Sequence, residues 1–514
     1  MSFTSLSFLL LVALTLLAYY LLPKRCQWVV LLTASYVFYL CGGVKLIVYL
    51  LFTTAVTYLA GLRLARLNEQ SKHDRKKGDA LRRRKRLVVL LTAVCCFGLL
   101  FVLKYWDDTA GAINRLTGTA LPVLNLLIPL GVSYYIFQSF GYVIDIYRGK
   151  QKPEKNPLRY ALFVSFFPQV VQGPISRYAE LYPQLMQPHT LDFDRLRDGL
   201  LLAGWGYFKK LVIADRAGVL VAAVFGDYLS YDGAITAAGV FFYCIQLYCD
   251  FSGGIDITRG VAQMFGIDLA ENFRRPLFAT SLADYWRRWH ISLGQWMRNY
   301  VFYPLSLSKP LGRLGKWARK RLRGKAGKIL APSVATFVVY FIIGIWHGAN
   351  FRYILFGFWN GSLITLSLLL EPYYAQWKQA LRIPDKSRLY HVFQMLRTSV
   401  LVFIGRYITR APRFLAALSM LKRTVLQFRP ASLFDGSLLR LGLSSYDLLV
   451  LAVAVLIVQI IEYMQERGIA IRSGLAAKSA LVQWLAATAL LLSILIFGIW
   501  GKDFVSAGFI YVQF

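Results

Sequence analysis

Long apolar stretches separated by short polar ones recur along the whole chain, and each approaches the ~20 residues that a helix needs to cross a bilayer. The first stretch, residues 7–22, has no basic segment before it and no small-residue cleavage site after it, which predicts a retained span rather than a signal peptide. Further apolar stretches occupy residues 351–370, 392–408, 448–464 and 481–499. The pattern predicts an all-α polytopic integral membrane protein with about 11–12 spans.

Three stretches depart from this simple pattern. Residues 200–225 are apolar but contain two lysines, an aspartate and an arginine, each costing roughly 2.5–3.5 kcal/mol at mid-bilayer, so we expect a broken helix that borders a cavity. Residues 163–173 are apolar but short and interrupted by proline, which favours a re-entrant segment. Residues 410–428 mix apolar and basic side chains, as an interfacial helix does.

The chain has 514 residues and a formal net charge of +33, which in a soluble protein would suggest nucleic acid. Here the positive charge collects in two segments, residues 67–87 and 308–330, and the positive-inside rule explains it as two cytoplasmic loops. We therefore expect membrane lipids and no nucleic acid as partners. No soluble domain is evident, so residues 1–514 are predicted to form a single membrane domain.

Two histidines stand in apolar surroundings, each directly after a tryptophan: His290 and His347. Ionisable side chains are costly at bilayer depth, so such residues mark functional sites, and a neutral imidazole can serve as a general base. A histidine that only bonds a backbone carbonyl in a helix bundle is the alternative. Counting crossings between basic segments places His347 near the outer end of its span and His290 towards the cytoplasm. The two histidines are thus expected at opposite ends of one path.

Metal chemistry is not indicated. No HxxxH or HExxH spacing occurs, and the six cysteines show no CxxC pair, so they are expected to be small buried hydrophobes.

Charged residues near His290 suggest a binding site for an anionic donor. Arg287 and Arg288 could hold phosphates in a forked geometry, flanked by Trp286 and preceded by Asp284. The same residues would also suit an anchor at the membrane interface. In the apolar stretch that follows residue 233, Asp250 could hold a substrate or mark a helix-packing site.

Four segments in this order resemble the membrane-bound O-acyltransferase family. They are CDFSGGIDI (249–257), MFGIDLAENFRRP (264–276), DYWRRWHISLGQWMRNYVFYPL (284–305) and GIWHGANFRYILFGFWNG (344–361). The resemblance is densest over residues 120–370, the expected catalytic core. It is strongest to the bacterial branch that O-acetylates alginate and peptidoglycan or transfers D-alanine to teichoic acid.

The resemblance implies a multi-helix bundle with a transmembrane tunnel, in a multi-pass protein of the bacterial plasma membrane. It implies His347 as the catalytic histidine and His290 as a second important histidine on the donor side. Asp250, Gln172 and Asn350 are weaker candidates for lining the substrate path, and Trp346, directly before His347, is expected to bind substrate. The implied donor is a cytoplasmic acyl thioester, acetyl-CoA or an acyl carrier, with no permanently bound cofactor. The implied acceptors are a cell-surface glycan and an extracytoplasmic or small membrane partner that forwards the acyl group.

Three functions follow as hypotheses. The first is transfer of an acyl group, most simply acetyl, to a surface polysaccharide. The second is D-alanyl transfer from a carrier protein to teichoic acid, for which a basic segment could dock an acidic carrier. The third is transport of a lipid-linked intermediate, because transporters also contain broken helices. The chain departs from the family pattern at residues 306–308, where a Gly-Gly turn is frequent, at Gly254, often aromatic, and at Asn360, often histidine. All three departures bear on which acyl group is moved.

Overall fold

The computed structural model describes residues 1–73, 78–322, 324–348, 350–384, 387–499 and 508–509. Within these ranges the chain is helical and forms no β-strand, apart from one isolated bridge between Phe273 and Trp289. The predicted all-α class is therefore confirmed.

Backbone contacts divide the chain into two compact units. The first contains residues 1–207 and 253–270, and the second contains residues 208–252 and 271–499. The helices of the first unit are α1 (Leu6–Leu21), α2 (Gln27–Leu40), α3 (Ile47–His73), α4 (Gly78–Thr117), α5 (Val132–Tyr147), α6 (Pro157–Ser165), α7 (Tyr178–Met186) and α8 (Phe193–Tyr207). The single domain and the core over residues 120–370 remain predictions.

The second unit begins with a π-helix, Phe208–Ala214, and α9 (Asp215–Gly226). Next comes α10 (Gly233–Met264), whose last residues belong to the first unit. The remaining α-helices are α11 (Leu282–Arg288), α12 (Ile291–Met297), α13 (Tyr303–Ser306), α14 (Lys309–Arg321), α15 (Lys325–His347), α16 (Phe351–Ala380), α17 (Arg388–Arg410), α18 (Phe414–Leu426), α19 (Ser445–Glu466), α20 (Ile471–Ala476) and α21 (Ala480–Phe497).

Seven helices among the described residues are long and apolar enough to cross a membrane. They are Val44–His73, Gly78–Thr117, Gly233–Met264, Ala326–His347, Phe351–Ala380, Ser445–Glu466 and Ala480–Phe497. The multi-pass prediction is confirmed, although this number is below the predicted 11–12. The difference arises because α1, α2 and α5 have only 16, 14 and 16 residues, while α17 carries several charges.

Two of the interrupted stretches depart from a regular α-helix as predicted, whereas the cavity beside the first and the re-entrant path of the second remain predictions. The π-helix lies in the middle of residues 200–225 and breaks the helix there, and all seven of its residues are buried. In the first unit α6 ends at Ser165, and the chain from residue 166 to 173 continues as buried turns. The backbone N–H of Phe167 donates to the Ser35 hydroxyl at 3.0 Å, which satisfies a group that a membrane interior would penalise.

The two basic segments are helical rather than loops where the structure describes them. Residues 67–87 form the end of α3 and the start of α4, and residues 308–330 form α14 and the start of α15; residues 74–77 and 323 lie outside the described ranges. Lysine and arginine favour helix, so their charge is compatible with this structure. In α14 the small residues Gly315 and Ala318 are buried, which leaves the basic side chains on the opposite face.

We predict that Gly131→Ala destabilises the protein by roughly 2 kcal/mol or more. Gly131 has φ of 70°, and a Cβ there would lie 1.8 Å from the carbonyl oxygen of Val170. A lower thermal midpoint in detergent would show the effect. Gly98→Ala is the control, because nothing lies within 4 Å of a Cβ at that α4 position. Equal midpoints for the two variants would contradict the prediction.

Candidate active site

His290 lies at the sharp junction between α11 and α12, where its backbone is left-handed (φ 49°, ψ 53°). A non-glycine residue in this region costs roughly 1–2 kcal/mol, so its surroundings must impose the conformation. The preceding segment supplies that restraint by pairing on both sides of the junction. The Arg274 N–H donates to the Arg288 carbonyl at 2.8 Å, and the Ile291 N–H donates to the Asn272 carbonyl at 3.0 Å.

The side chain of Asn272 determines which nitrogen of His290 carries the proton. Its Oδ1 accepts from the N–H and the hydroxyl of Ser292, each at 2.9 Å. A backbone N–H can only donate, so this atom of Asn272 is the oxygen. The Nδ1 of His290 faces the same oxygen at 3.4 Å and is therefore the protonated nitrogen. The lone pair of the imidazole then lies on Nε2.

An apolar shell surrounds the His290 ring, which is 2% exposed. The Phe251 ring meets it edge-on, with ring centres 4.9 Å apart and an interplanar angle of 85°. Burial lowers the pKa of His290 to about 3, and the neighbouring His347 acts in the same direction. His290 lies outside the seven spans named above. Its imidazole is consequently neutral at physiological pH.

His347 is the last residue of α15 and is buried in the same neighbourhood. Trp346 contacts both imidazoles, with ring centres 4.8 Å from His347 and 6.1 Å from His290. The prediction that the two histidines mark opposite ends of a path is therefore wrong. Counting crossings assigns depth only to full spans, whereas His290 lies between two seven-residue helices that are too short to cross a bilayer.

Trp286 and Asn360 extend this cluster on α11 and α16. The indole N–H of Trp286 donates to Asn360 Oδ1 at 3.1 Å, and the Asn360 amide donates to the Phe356 carbonyl at 2.8 Å. The Phe356 ring lies 6.2 Å from that of His347 and 5.9 Å from that of Trp286. Asn360, which stands where the family often has histidine, thus accepts a hydrogen bond from Trp286, a residue predicted to bind substrate.

The two predicted donor-binding arginines differ in their partners. Arg288 is held between Asp284 at 3.1 Å and Glu466 at 2.9 Å, and Glu466 also pairs with Arg275. Its charge is therefore neutralised within the protein. The Arg287 side chain is 63% exposed and its ion pair with Asp284 is longer, at 3.6 Å. Arg287 is the better placed of the two for an external anion.

The other predicted residues have structural contacts of their own. The Asp250 carboxylate pairs with Lys210 at 2.6 Å, so it is engaged within the protein. Asn350 caps α16 by accepting from the Arg352 N–H at 3.1 Å. Gln172 belongs to the first unit, where its buried amide packs against Gly254; a Cβ at Gly254 would lie 2.8 Å from it. The aromatic residue frequent at that position in the family would not fit here.

The structure adds Asn272, Glu466 and Arg406 to the residues expected from the sequence. Arg406 is 6% exposed; it donates to the Tyr285 hydroxyl at 2.9 Å and lies 5.2 Å from the Trp289 ring centre. The sequence could have indicated Arg406, because a charged residue inside an apolar stretch is a candidate functional residue. Asn272 and Glu466 gave no such signal, because their partners are distant in sequence.

We predict that His290 contributes to a loss of stability in acid. Its folded pKa lies below the unfolded value, so the unfolded state binds the extra proton as the pH falls from about 6.5 towards about 3. The free energy of unfolding thereby decreases by up to about 1.4 kcal/mol for each pH unit of acidification. The thermal midpoint of His290→Gln should fall less than that of the wild type between pH 7 and pH 5. His391→Gln, at an exposed position, is the control and should follow the wild type. Parallel curves for wild type and His290→Gln would refute the prediction.

Comparison with known proteins identifies the family to which the chain belongs. Residues 154–319 match the membrane-bound O-acyltransferase family. The chain is 31% identical over 406 residues to a probable alginate O-acetylase of Pseudomonas aeruginosa, covering 78% of this chain and 70% of that protein. It is 30% identical over 378 residues to a peptidoglycan O-acetyltransferase of Helicobacter pylori, covering 67% and 64%.

A more distant relative is a teichoic acid D-alanyltransferase of Bacillus subtilis, 26% identical over 300 residues and covering 56% of this chain and 70% of that protein. These relatives are bacterial, in agreement with the predicted plasma-membrane location. The identity and coverage of the alginate relative, together with the family match, establish that the chain belongs to the membrane-bound O-acyltransferase family and is an integral membrane acyltransferase.

Proposed function

We propose that the protein transfers an acetyl group from a cytoplasmic thioester to hydroxyl groups of a cell-surface polysaccharide, or to a partner that acylates the polysaccharide. The observation that carries this proposal is the pair of buried histidines on Trp346, one of them held neutral with a defined lone pair. The named activities of the two acetylating relatives support acetyl as the group and a glycan as the final acceptor.

In this proposal His347 is the general base. It removes the proton of the acceptor hydroxyl, and the oxygen attacks the thioester carbonyl carbon. A C–O bond forms while the C–S bond breaks, and the proton passes from His347 to the departing thiolate. The products are an ester and a free thiol, with no net gain or loss of protons.

His290 has a different part in the same step. A pKa near 3 makes it too weak a base to hold the transferred proton at neutral pH. Its Nε2 lone pair can instead accept a hydrogen bond from a second hydroxyl of the acceptor and orient the acceptor, because the reacting hydroxyl has only one proton and gives it to His347. Trp346 and Phe251 keep the imidazole dry and in place.

D-alanyl transfer is the second candidate, and one feature favours it. The exposed face of α14 carries basic residues without an acidic neighbour in its own helix, which would suit an acidic carrier protein. The lower identity to the D-alanylating relative favours acetyl. The two candidates predict different acids on the cell surface.

We predict that His347→Ala abolishes surface acylation in cells that lack the natural gene, because no other base replaces the imidazole. Mild alkali releases ester-linked acids from the surface polymers, and wild-type protein should restore acetate while His347→Ala should not. His391→Ala, at an exposed position of α17, is the control and should restore acetate fully. Release of D-alanine in place of acetate would replace the first candidate by the second. Full acetate with His347→Ala at normal membrane level would refute the assigned base.

We also predict that Arg287→Ala raises the KM for the thioester donor about three- to tenfold and leaves kcat within twofold. A single exposed charge–phosphate contact accounts for a change of this size. Steady-state kinetics of purified protein with acetyl-CoA provides the measurement. Lys309→Ala, an exposed position at the start of α14, is the matched loss of charge and should leave KM unchanged. Equal KM values for Arg287→Ala and wild type would remove Arg287 from the donor site.

A further inference from the structure

Two consecutive lysines of the π-helix are buried against α10. Lys209 and Lys210 are 4% and 2% exposed. The Lys210 ammonium lies 2.6 Å from Asp250 and 2.9 Å from Asp215. The Lys209 ammonium donates to the Ser252 hydroxyl at 2.9 Å. Both lysines therefore bind the same short stretch of α10. Because π-helical segments occur frequently at functional sites, this contact is a candidate for a functional role.

The net stability of such an ion pair does not explain its presence. Lys210 pairs with both aspartates and Lys209 donates to a hydroxyl, so the four charges sum to zero, but burying them costs about as much as their attraction contributes. Apolar side chains of similar volume would often hold the helices together equally well. The polar contacts instead fix the rotation of α10 about its axis, because Lys210 binds Asp250 and Lys209 binds Ser252.

The neighbouring residues of α10 face the active site. Phe251 packs edge-on against His290 at 4.9 Å between ring centres, and Tyr248 lies 6.0 Å from the Trp289 ring. Along one turn and a half of helix, the residues that contact the His290 junction thus alternate with those that bind the lysines. A slip of one residue would rotate α10 by about 100° and move Phe251 away from the imidazole.

We propose that Lys209 and Lys210 are positioning residues, which fix the rotation of α10 so that Phe251 holds the His290 ring in its reactive orientation. Neither lysine takes part in the chemistry. The activity readout of this proposal rests on the acyl transfer proposed above, whereas its structural readout does not.

The main test compares two aspartates that share Lys210. Asp250 is on α10 and Asp215 is on α9, and both are buried to the same extent. Asp250→Asn weakens the link to α10, whereas Asp215→Asn leaves it intact. We expect Asp250→Asn and Lys210→Met to lower kcat about tenfold or more with KM within twofold, as a displaced reacting group would. Asp215→Asn should keep kcat within threefold of the wild type.

Arg216→Met is the control for the loss of an ion pair close to the same π-helix. Arg216 pairs with Asp447 at 3.2 Å and makes no contact with Asp250 or Ser252 among its described hydrogen bonds. Its kcat, expressed per folded molecule, should equal that of the wild type. A role in folding alone would instead make Asp215→Asn as harmful as Asp250→Asn, and that result would overturn the proposal.

A second readout does not depend on catalysis. Diethylpyrocarbonate modifies accessible imidazoles, and mass spectrometry can follow the rate at His290. We expect a rate increase of at least fivefold in Lys210→Met and Asp250→Asn and little change in Asp215→Asn. If the wild type transfers no acyl group, the proposed function fails while this order of rates still supports the positioning role. Equal rates in all four proteins would overturn that role.

Discussion

The left-handed backbone of His290 is the constraint on which the rest of the candidate site depends. This conformation is less favourable for histidine than for glycine, and backbone hydrogen bonds on both sides of the junction stabilise it. Because of this turn, the imidazole points away from the polar exterior and into a shell formed by Phe251 and Trp346. The Asn272 carboxamide then defines its tautomer.

Most charged side chains around this junction are paired within the second unit, and the buried Arg406 lies beside it, over the Trp289 ring. Arg288 is neutralised by Asp284 and Glu466, and Lys210 is neutralised by two aspartates. The two histidines therefore lie in an apolar setting, in which a neutral base is stable and hydrogen bonds are strengthened by the low dielectric. Such a setting suits acyl transfer, since the step needs a proton acceptor but no net charge separation at its start or end.

The fold class could be predicted from sequence because apolar length and helical backbone bonding leave few alternatives in a bilayer. The broken helix at 200–225 was also predictable, since charges inside an apolar stretch must find partners; Lys210 and Asp250 proved to be such partners. The spatial relation of His290 and His347 was not predictable. It depends on pairing between residues 272–274 and 288–291, and backbone pairing leaves no trace in side-chain periodicity. The same limit hid Asn272 and Glu466.

The most direct test of acyl transfer is reconstitution of the purified protein in liposomes. Acetyl-CoA with a labelled acetyl group is supplied outside the vesicles, and a soluble oligosaccharide acceptor is enclosed inside them. The partner protein is added where the acceptor requires one. Label should appear as an alkali-labile ester inside the vesicles, and free thiol should appear outside in equal amount. Unchanged acetyl-CoA, or consumption that is identical after both histidines are replaced by alanine, would contradict this prediction.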